Sequence, residues 1–250
     1  MPLYNFTFSP PLSPLAPLAP LTLSSKSTPS IAHLMTSVFI LRQQSPSPPQ
    51  ILLLRRHPQD SYPLKWEAPG GSADPTDTSI LSAAARELFE ETSLKESHFH
   101  AVLGMTKQKA EDLFTSGEDI EKRPQNWGVD PNDEQAQDIE VQVSDDMKII
   151  FTTFHEPDGI WGKVNFLATA KGEDPIVKVD AEEHVEWGWF TEEQVRTGRA
   201  ARGNIFTEAS FSDDAMLLDG DKRVMEFTSQ AVWGSLLEAF RVGREMGIIV

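Results

Sequence analysis

The alternation of apolar and polar stretches along the chain predicts a series of short strands. Runs rich in β-branched and other apolar residues lie at residues 36–41, 51–55, 66–68, 99–103, 148–154, 161–168 and 185–190. A Pro/Ser-rich connection joins the first two runs. The third run is brief and leads into a Pro-Gly-Gly turn, so the sequence predicts a strand that ends at Gly70 and Gly71.

Three segments carry helix signals instead. Residues 79–92 follow the Gly-Gly turn, and their apolar positions predict a buried stripe of Ile80 or Leu81, Ala84 and Leu88. A second helix is predicted to start at residues 191–194. The apolar spacing of residues 227–246 predicts a closing helix that packs on the sheet.

Two segments do not follow this pattern. Residues 1–35 form a Pro-, Ser- and Leu-rich arm, which is interpreted either as disordered or as a docked arm in which Tyr4, Phe6 and Phe8 pack like a short strand. A targeting peptide is a weaker third interpretation, because such peptides are Arg-rich and amphipathic. Residues 107–146 are a strongly acidic insertion, with a short helix near residues 110–114. This insertion is predicted to be a solvated loop, and the alternative is a lid in which Trp127 stacks on substrate.

Composition excludes several classes of function. The net charge is −16 and the isoelectric point is near 4.7, which argues against a nucleic-acid partner, because such proteins need a basic stripe to bind phosphates. The chain has no cysteine, so disulfides, thiolate metal sites and a cysteine nucleophile are excluded. No apolar run approaches the roughly 20 residues that span a bilayer. We therefore expect no membrane partner and a cytoplasmic protein.

The helix after the Gly-Gly turn carries the most informative charge pattern. Glu87, Glu90 and Glu91 are three or four residues apart and share one face of the helix. Glu87 and Glu91 repel each other, while Arg86 can pair with Glu90. Carboxylate oxygens are preferred ligands of Mg²⁺ and Mn²⁺, and Mg²⁺ sites usually combine carboxylates, waters and substrate phosphates. The pattern predicts a divalent metal site that handles a phosphate compound; the alternative is a solvated acidic face.

Residues 66–94 resemble the Nudix box, G-x5-E-x7-R-E-U-x-E-E-x-G-U, in which U is a bulky aliphatic residue. The matching positions are Gly71, Arg86, Glu87, Leu88, Glu90, Glu91 and Leu94. The isolated Glu is represented by Asp77 or Thr78, either of which is also the predicted N-cap of the helix. The late Gly is Ser93, where a left-handed residue would end the helix at a cost of about 1 kcal/mol. A later segment resembles E-H-x-E-x-x-W of the same family and matches well from Val185 to Phe190. The resemblance covers roughly residues 36–245, but only the box is specific.

The resemblance implies an α/β fold, namely a Nudix-type α/β/α sandwich with a mixed β-sheet, and residues 36–250 would form this domain. It implies a diphosphohydrolase that uses Mg²⁺, with Mn²⁺ as a substitute. The substrate would be a small molecule, either a nucleoside diphosphate linked to another moiety or a related organic pyrophosphate. The protein is expected to be a monomer or a homodimer.

The resemblance also assigns roles to residues. Glu87, Glu90, Glu91 and the carbonyl of Gly71 would hold the metal. Gly70 and Gly71 would form the substrate loop, because glycine lets the backbone turn closely onto the site. Arg86 would serve catalysis by holding Glu90 in position.

Hydrolysis also needs a group that takes a proton from the attacking water. The first candidate is Glu183 and the second is Glu186, both in the acidic segment before the last strands. His184 is expected to be structural, because three carboxylates already satisfy a hard cation. A non-catalytic nucleotide-binding module on the same fold is the competing hypothesis.

Overall fold

The structure is a computed structural model that describes residues 3–104, 136–172, 174–207, 218–219 and 222–250. In this part of the chain the strands are β1 (Asn5–Phe8), β2 (His33–Arg42), β3 (Gln50–Arg56), β4 (Trp66–Glu67), β5 (Glu96–Leu103), β6 (Gln137–Ser144), β7 (Met147–Glu156), β8 (Gly159–Ala170), β9 (His184–Thr191), β10 (Arg199–Ala201), β11 (Ile205–Thr207), β12 (Leu218–Asp219) and β13 (Lys222–Val224). The α-helices are α1 (Pro20–Ser24), α2 (Ile80–Thr92), α3 (Glu192–Thr197) and α4 (Gln230–Glu245), with 3-10 turns at Pro10–Leu15 and Arg202–Asn204. The predicted strands and the three predicted helices are confirmed, with ends shifted by a few residues.

A mixed sheet forms the centre of the fold. Its strand order is β1-β5-β8-β2-β3-β9-β11, with β7 added beside β8, β6 beside β7 and β4 beside β3. The pairs β1/β5 and β2/β8 are parallel. The long strand β2 pairs with β8 along its first eight residues and with β3 through Leu41 and Arg42, so it joins the two halves of the sheet.

Helices cover both faces of this sheet. Successive side chains of a strand point to opposite faces, and Leu52 and Leu54 of β3 accordingly belong to the core under α2. Ile51 and Leu53 belong to the core under α4. This explains why the strand is a continuous apolar run rather than an alternating one. The α/β/α layering predicted from the sequence is confirmed.

Helix α2 begins and ends through local polar geometry. Its N-cap is Ser79, whose Oγ accepts a hydrogen bond from the Ser82 backbone N–H at 3.1 Å, while Ser82 Oγ accepts one from the Ser79 N–H at 2.9 Å. The prediction of Asp77 or Thr78 as N-cap is therefore wrong; the Asp77 carboxylate pairs with Arg86 instead. The helix ends at Ser93 with φ 57°, which is the left-handed conformation expected there.

The first residues of the chain are docked. Strand β1 pairs in parallel with β5, Tyr4 stacks on Phe89 of α2 with ring centroids 5.4 Å apart, and Leu12 and Leu15 are buried in the core under α2. In the structure, therefore, the arm is docked rather than disordered. The division of the chain into an arm and a domain near residue 35 stays a prediction.

The acidic insertion is described only at its C-terminal end. Residues 105–135 lie outside the described residues, and with them the predicted short helix and Trp127. Residues 137–144 are not a solvated loop, because they form β6 and pair with β7. Val141 and Val143 are buried on one face of β6; the intervening charged residues hide this alternation in the sequence. Among the described residues, none of the helices has the length and apolar character of a transmembrane segment.

Candidate active site

A cavity of about 1280 Å³ lies where β4, the Gly-Gly turn, α2 and the start of β9 meet. Its floor is one face of the sheet, formed by β2, β7 and β8. Acidic residues from three elements line one end of it, namely Glu67, Glu87, Glu91, Glu182 and Glu183. Ligand sites are few per protein and concave, so this cavity is the candidate active site.

The Gly-Gly turn runs along strand β2, and its first residue fits there only as glycine. The Thr36 N–H donates to the Gly71 carbonyl at 2.9 Å, and the Val38 N–H donates to the Pro69 carbonyl at 2.7 Å. Gly70 has φ 148°, and a Cβ there would lie 2.2 Å from the Thr36 carbonyl oxygen. A Cβ on Gly71 would lie 2.5 Å from a Glu87 carboxylate oxygen. The turn is thus pressed between the sheet and the acidic helix, and the Gly71 carbonyl keeps one lone pair for another partner.

Glu91 is the most deeply placed carboxylate of α2. It is 5% exposed, and its Oε2 accepts a hydrogen bond from the Gly70 N–H at 2.7 Å. Burial raises the pKa of Glu91 well above its ordinary value, and the neighbouring carboxylates Glu67, Glu87 and Glu183 raise it further. Such a carboxylate takes up a proton unless a cation compensates its charge.

Arg86 contacts both Glu87 and Glu90, but only Glu87 lines the cavity. Arg86 Nη1 donates to Glu87 Oε1 and to Glu90 Oε2, both at 2.8 Å. Its Nη2 and Nε donate to Asp77 at 2.9 and 3.1 Å. The Glu90 side chain is 54% exposed, and both Arg86 and Glu90 lie outside the described lining of the cavity. The structure therefore brings Glu87 and Glu91 together and holds Glu90 on the solvent side, although helical spacing places all three on one strip.

Glu183 and His184 enter the cavity from the start of β9. One ring nitrogen of His184 and one carboxylate oxygen each from Glu91 and Glu183 lie within 4.8 Å of one another. Glu183 is exposed, and its backbone carbonyl accepts a hydrogen bond from the His57 N–H at 2.8 Å. The loop that carries Glu183 is thereby fixed at the cavity edge.

His184 has an unusual environment for a structural histidine. It is 2% exposed, its Nε2 lies 3.9 Å from Glu67 Oε1, and its Nδ1 is buried with no hydrogen-bond partner in the described chain. A buried polar atom without a partner costs about 1–3 kcal/mol. Two carboxylates and an imidazole nitrogen at this separation are a donor set that fits a divalent cation.

Three charged residues of the site were missed by sequence reasoning. Glu67 ion-pairs with Arg56, and although burial raises the pKa of Glu67, its contacts with His184, Arg56 and Lys163 lower it below the ordinary value. Burial lowers the pKa of Lys163, whose charge interacts with Glu67 and Glu91. Each of the three lies within or at the end of an apolar strand, and a lone charge in such a strand is the signal that could have revealed them.

Glu186, the second candidate base, lies outside the described lining of the cavity. It is 1% exposed. Arg55 Nη1 donates to its Oε2 at 2.9 Å, and Arg223 Nη1 donates to its Oε1 at 3.0 Å. Because two guanidinium groups hold this buried carboxylate away from the cavity, Glu186 is a structural anchor rather than a base beside the substrate.

Replacing Glu186 by Gln should destabilise the protein strongly. The variant keeps the size of the side chain but removes the carboxylate charge that Arg55 and Arg223 contact in a buried place. Breaking a buried ion pair in this way costs about 3–5 kcal/mol, measurable as the free energy of unfolding in urea. The exposed Glu182→Gln serves as control and should change it by about 0.5 kcal/mol or less. A loss below about 1 kcal/mol for Glu186→Gln would contradict the structural assignment.

Comparison with known proteins gives one family match. A family model described as NUDIX domain matches residues 32–135, which include β2 to β5, the Gly-Gly turn and helix α2. No curated protein matches the chain.

Several solved structures are similar to the chain at low identity. The MutT protein from Methanosarcina mazei Go1 is 19% identical over 65% of this chain and 79% of that one, with a TM-score of 0.39. The Nudix hydrolase RenU from M. smegmatis is 13% identical over 87% of this chain and 88% of that one, with a TM-score of 0.43. The C. elegans Ap4A hydrolase is 17% identical over 86% of this chain and 99% of that one, with a TM-score of 0.43.

Proposed function

From the premise that the chain carries a NUDIX domain and is a hydrolase of phosphoanhydride bonds, we propose that it cleaves a nucleoside diphosphate linked to another moiety, with Mg²⁺ or Mn²⁺ in the cavity beside Glu91. The family and the reaction class expected from residues 66–94 are confirmed. The altered box positions favour the competing hypothesis of a non-catalytic binding module, and the intact Glu87, Glu90 and Glu91 oppose it. A monomer or homodimer remains the expected state.

The observation that carries the proposal is the buried carboxylate of Glu91. Its charge is opposed by burial and by three neighbouring carboxylates, and a ring nitrogen of His184 and an oxygen of Glu183 lie within 4.8 Å of it. A cation at this place would relieve the repulsion among these carboxylates. Glu91, Glu87, the Gly71 carbonyl and a ring nitrogen of His184 are the proposed ligands. Glu90 joins them only if its carboxylate leaves Arg86.

In this proposal, different residues of the site have different roles in hydrolysis. When bound, a divalent cation lowers the pKa of a coordinated water and neutralises charge on the phosphoryl oxygens. Glu183, at the exposed edge of the cavity, accepts the proton of the attacking water. The new P–O bond forms from that water, and the anhydride P–O bond breaks, giving two phosphate-ended products. Lys163 and Arg56 supply positive charge for the substrate phosphates.

Metal binding should stabilise the folded protein. Because a cation relieves repulsion among Glu91, Glu87 and Glu183, the melting temperature should be lowest in EDTA and rise with Mg²⁺ or Mn²⁺. A cation at a hundred times its Kd adds about 2.7 kcal/mol to the free energy of unfolding. The same protein, assayed against a panel of nucleoside diphosphate derivatives, should release a nucleoside monophosphate only when metal is present. An unchanged melting temperature at millimolar metal would contradict the proposal.

A further inference from the structure

Three polar side chains on the neighbouring strands β6, β7 and β8 form a row of hydrogen bonds that ends at the cavity. Thr152 Oγ1–H donates to Asp138 Oδ1 at 2.9 Å, and Asn165 Nδ2–H donates to Thr152 Oγ1 at 3.2 Å. Thr152 and Asn165 are 7% and 3% exposed, and both line the cavity. We call Asp138, Thr152 and Asn165 the hydrogen-bonded triad.

The direction of each hydrogen bond in the triad follows from the chemistry of its members. An ionised carboxylate only accepts, so the single hydroxyl proton of Thr152 points to Asp138. Towards Asn165 the Thr152 oxygen can then only accept, and the Asn165 amide must turn its NH₂ group to Thr152. The carbonyl oxygen of Asn165 is thereby directed away from Thr152.

The carbonyl oxygen Oδ1 of Asn165 has no hydrogen-bond partner in the part of the chain that the structure describes. Because Asn165 lines the cavity, this acceptor is available to a ligand. Ser37 lies opposite Asn165 in the register of β2 and β8 and also lines the cavity. An acceptor that is removed from water and left unpaired costs free energy, and a donor group on a bound ligand would recover that cost.

The first member of the triad comes from the acidic insertion. Asp138 lies in β6, opposite Thr152 in the register of β6 and β7. Its second oxygen packs against Gly104, which follows β5, since a Cβ on Gly104 would lie 2.4 Å from Asp138 Oδ2. The carboxylate is therefore held from two sides. A segment that the sequence predicts to be a solvated loop thus orients a side chain of the cavity lining.

Lys163 connects the triad to the proposed phosphate site. Lys163 precedes Asn165 by two residues and follows Trp161 by two, so the three side chains lie on one face of β8, and all of them line the cavity. Two residues of a strand span about 6.6–6.8 Å. Lys163 interacts electrostatically with Glu67 and Glu91 at the acidic end. A group bonded to a phosphate at Lys163 therefore reaches Asn165.

We propose that Asn165 is a specificity-determining residue, whose carbonyl oxygen accepts a hydrogen bond from a hydroxyl group of the moiety linked to the nucleoside diphosphate. Thr152 and Asp138 are positioning residues that set the orientation of the Asn165 amide. The inference rests on the proposed function and narrows the linked moiety to a hydroxylated group such as a sugar. An apolar moiety would leave the acceptor unpaired, and a site built to bind a hydroxyl group rejects the analogue that lacks it.

The test compares glucose 1-phosphate with cyclohexyl phosphate in the presence of Mg²⁺. Both carry a phosphate on a six-membered ring, but cyclohexyl phosphate has no hydroxyl group on the ring. The wild type should bind glucose 1-phosphate about tenfold or more tightly than cyclohexyl phosphate. Asn165→Leu, which keeps the approximate size of the side chain, should bring the two Kd values within about threefold of each other. Isothermal titration calorimetry gives the Kd values, and melting curves establish that each variant is folded.

Two substitutions of Thr152 test its positioning role. Thr152→Val keeps the shape but removes the hydroxyl group, so the preference for glucose 1-phosphate should fall towards that of Asn165→Leu. Thr152→Ser keeps the hydroxyl group and should keep the preference. Thr153→Val is the matched control, because Thr153 is also buried and its Oγ1–H donates to the Gln137 carbonyl of β6 at 2.9 Å, but it lies outside the described lining of the cavity. It should lose stability without a change in preference.

The outcomes separate the triad from the proposed function. A wild type that binds cyclohexyl phosphate as tightly as glucose 1-phosphate, or does not bind glucose 1-phosphate, overturns the inference. The same preference in Thr152→Val as in Thr153→Val overturns the positioning role. Each of these results leaves the proposed function intact if Mg²⁺ raises the melting temperature of the wild type. An absence of that rise rejects the proposed function itself.

Discussion

Replacing Glu91 by Gln should remove nearly all turnover and also the stabilisation by metal. Gln keeps the size and the hydrogen bond from Gly70 but carries no charge to hold a divalent cation. Because the cation supplies several kcal/mol of stabilisation to the transition state, kcat should fall by roughly a hundredfold or more. The melting temperature of the variant should no longer respond to Mg²⁺. Steady-state kinetics and melting curves with EDTA and with Mg²⁺ measure both effects.

The metal-free Glu91→Gln variant should be more stable than metal-free wild type at neutral pH. The folded-state pKa of Glu91 is raised, so its protonated form contributes stability below the unfolded-state pKa, and this contribution is lost as pH rises through the folded-state pKa. Gln never acquires the unfavourable charge. The difference in the free energy of unfolding between metal-free Glu91→Gln and metal-free wild type should therefore shrink towards acidic pH.

Glu90→Gln is the matched comparison for Glu91→Gln on the same helix. Glu90 is half exposed and paired with Arg86, so its replacement should reduce kcat much less. Losses of equal size would show that Glu90 leaves Arg86 to join the metal. Turnover by Glu91→Gln within about threefold of wild type would contradict the catalytic assignment.

Glu183→Gln should lower kcat by about a hundredfold, the effect of removing a general base, while KM changes little. Glu183 lies at the exposed edge of the cavity, on a loop held by the backbone hydrogen bond to His57. Steady-state kinetics with a nucleoside diphosphate derivative as substrate measure kcat and KM.

Glu182→Gln is the control for Glu183→Gln, because Glu182 is its exposed neighbour in the same loop. It should retain wild-type kcat. The metal-induced rise in melting temperature separates two roles of Glu183: a base leaves this rise intact in Glu183→Gln, while a ligand reduces it. Equal kcat for the two variants would remove Glu183 from the mechanism.

Local sequence determined the elements and the acidic helix. Apolar runs are sufficient to place strands, since burial on both faces selects continuous apolar residues, as in β3. The spacing of Glu87 and Glu91 is sufficient to place them on one side of a helix, and Ser93 was expected to be left-handed because the helix must end there. The N-cap was misplaced because Asp77 and Ser79 are both good caps, and only the contact with Arg86 decides between them.

Tertiary structure alone decided which carboxylates share the cavity. In the register of β3 and β9, Arg55 lies opposite Glu186 and Arg56 opposite His184, so β9 carries one extra residue, Val185. In a regular strand His184 and Glu186 would point to the same face; the bulge sends them to opposite faces. His184 therefore joins Glu91 at the cavity, while Glu186 joins two buried arginines. The sequence determined that acidic residues would gather near a Gly-Gly turn, but the meeting of Glu67, Glu91, Lys163 and Trp161 depends on strand pairings between distant segments, which local spacing does not contain.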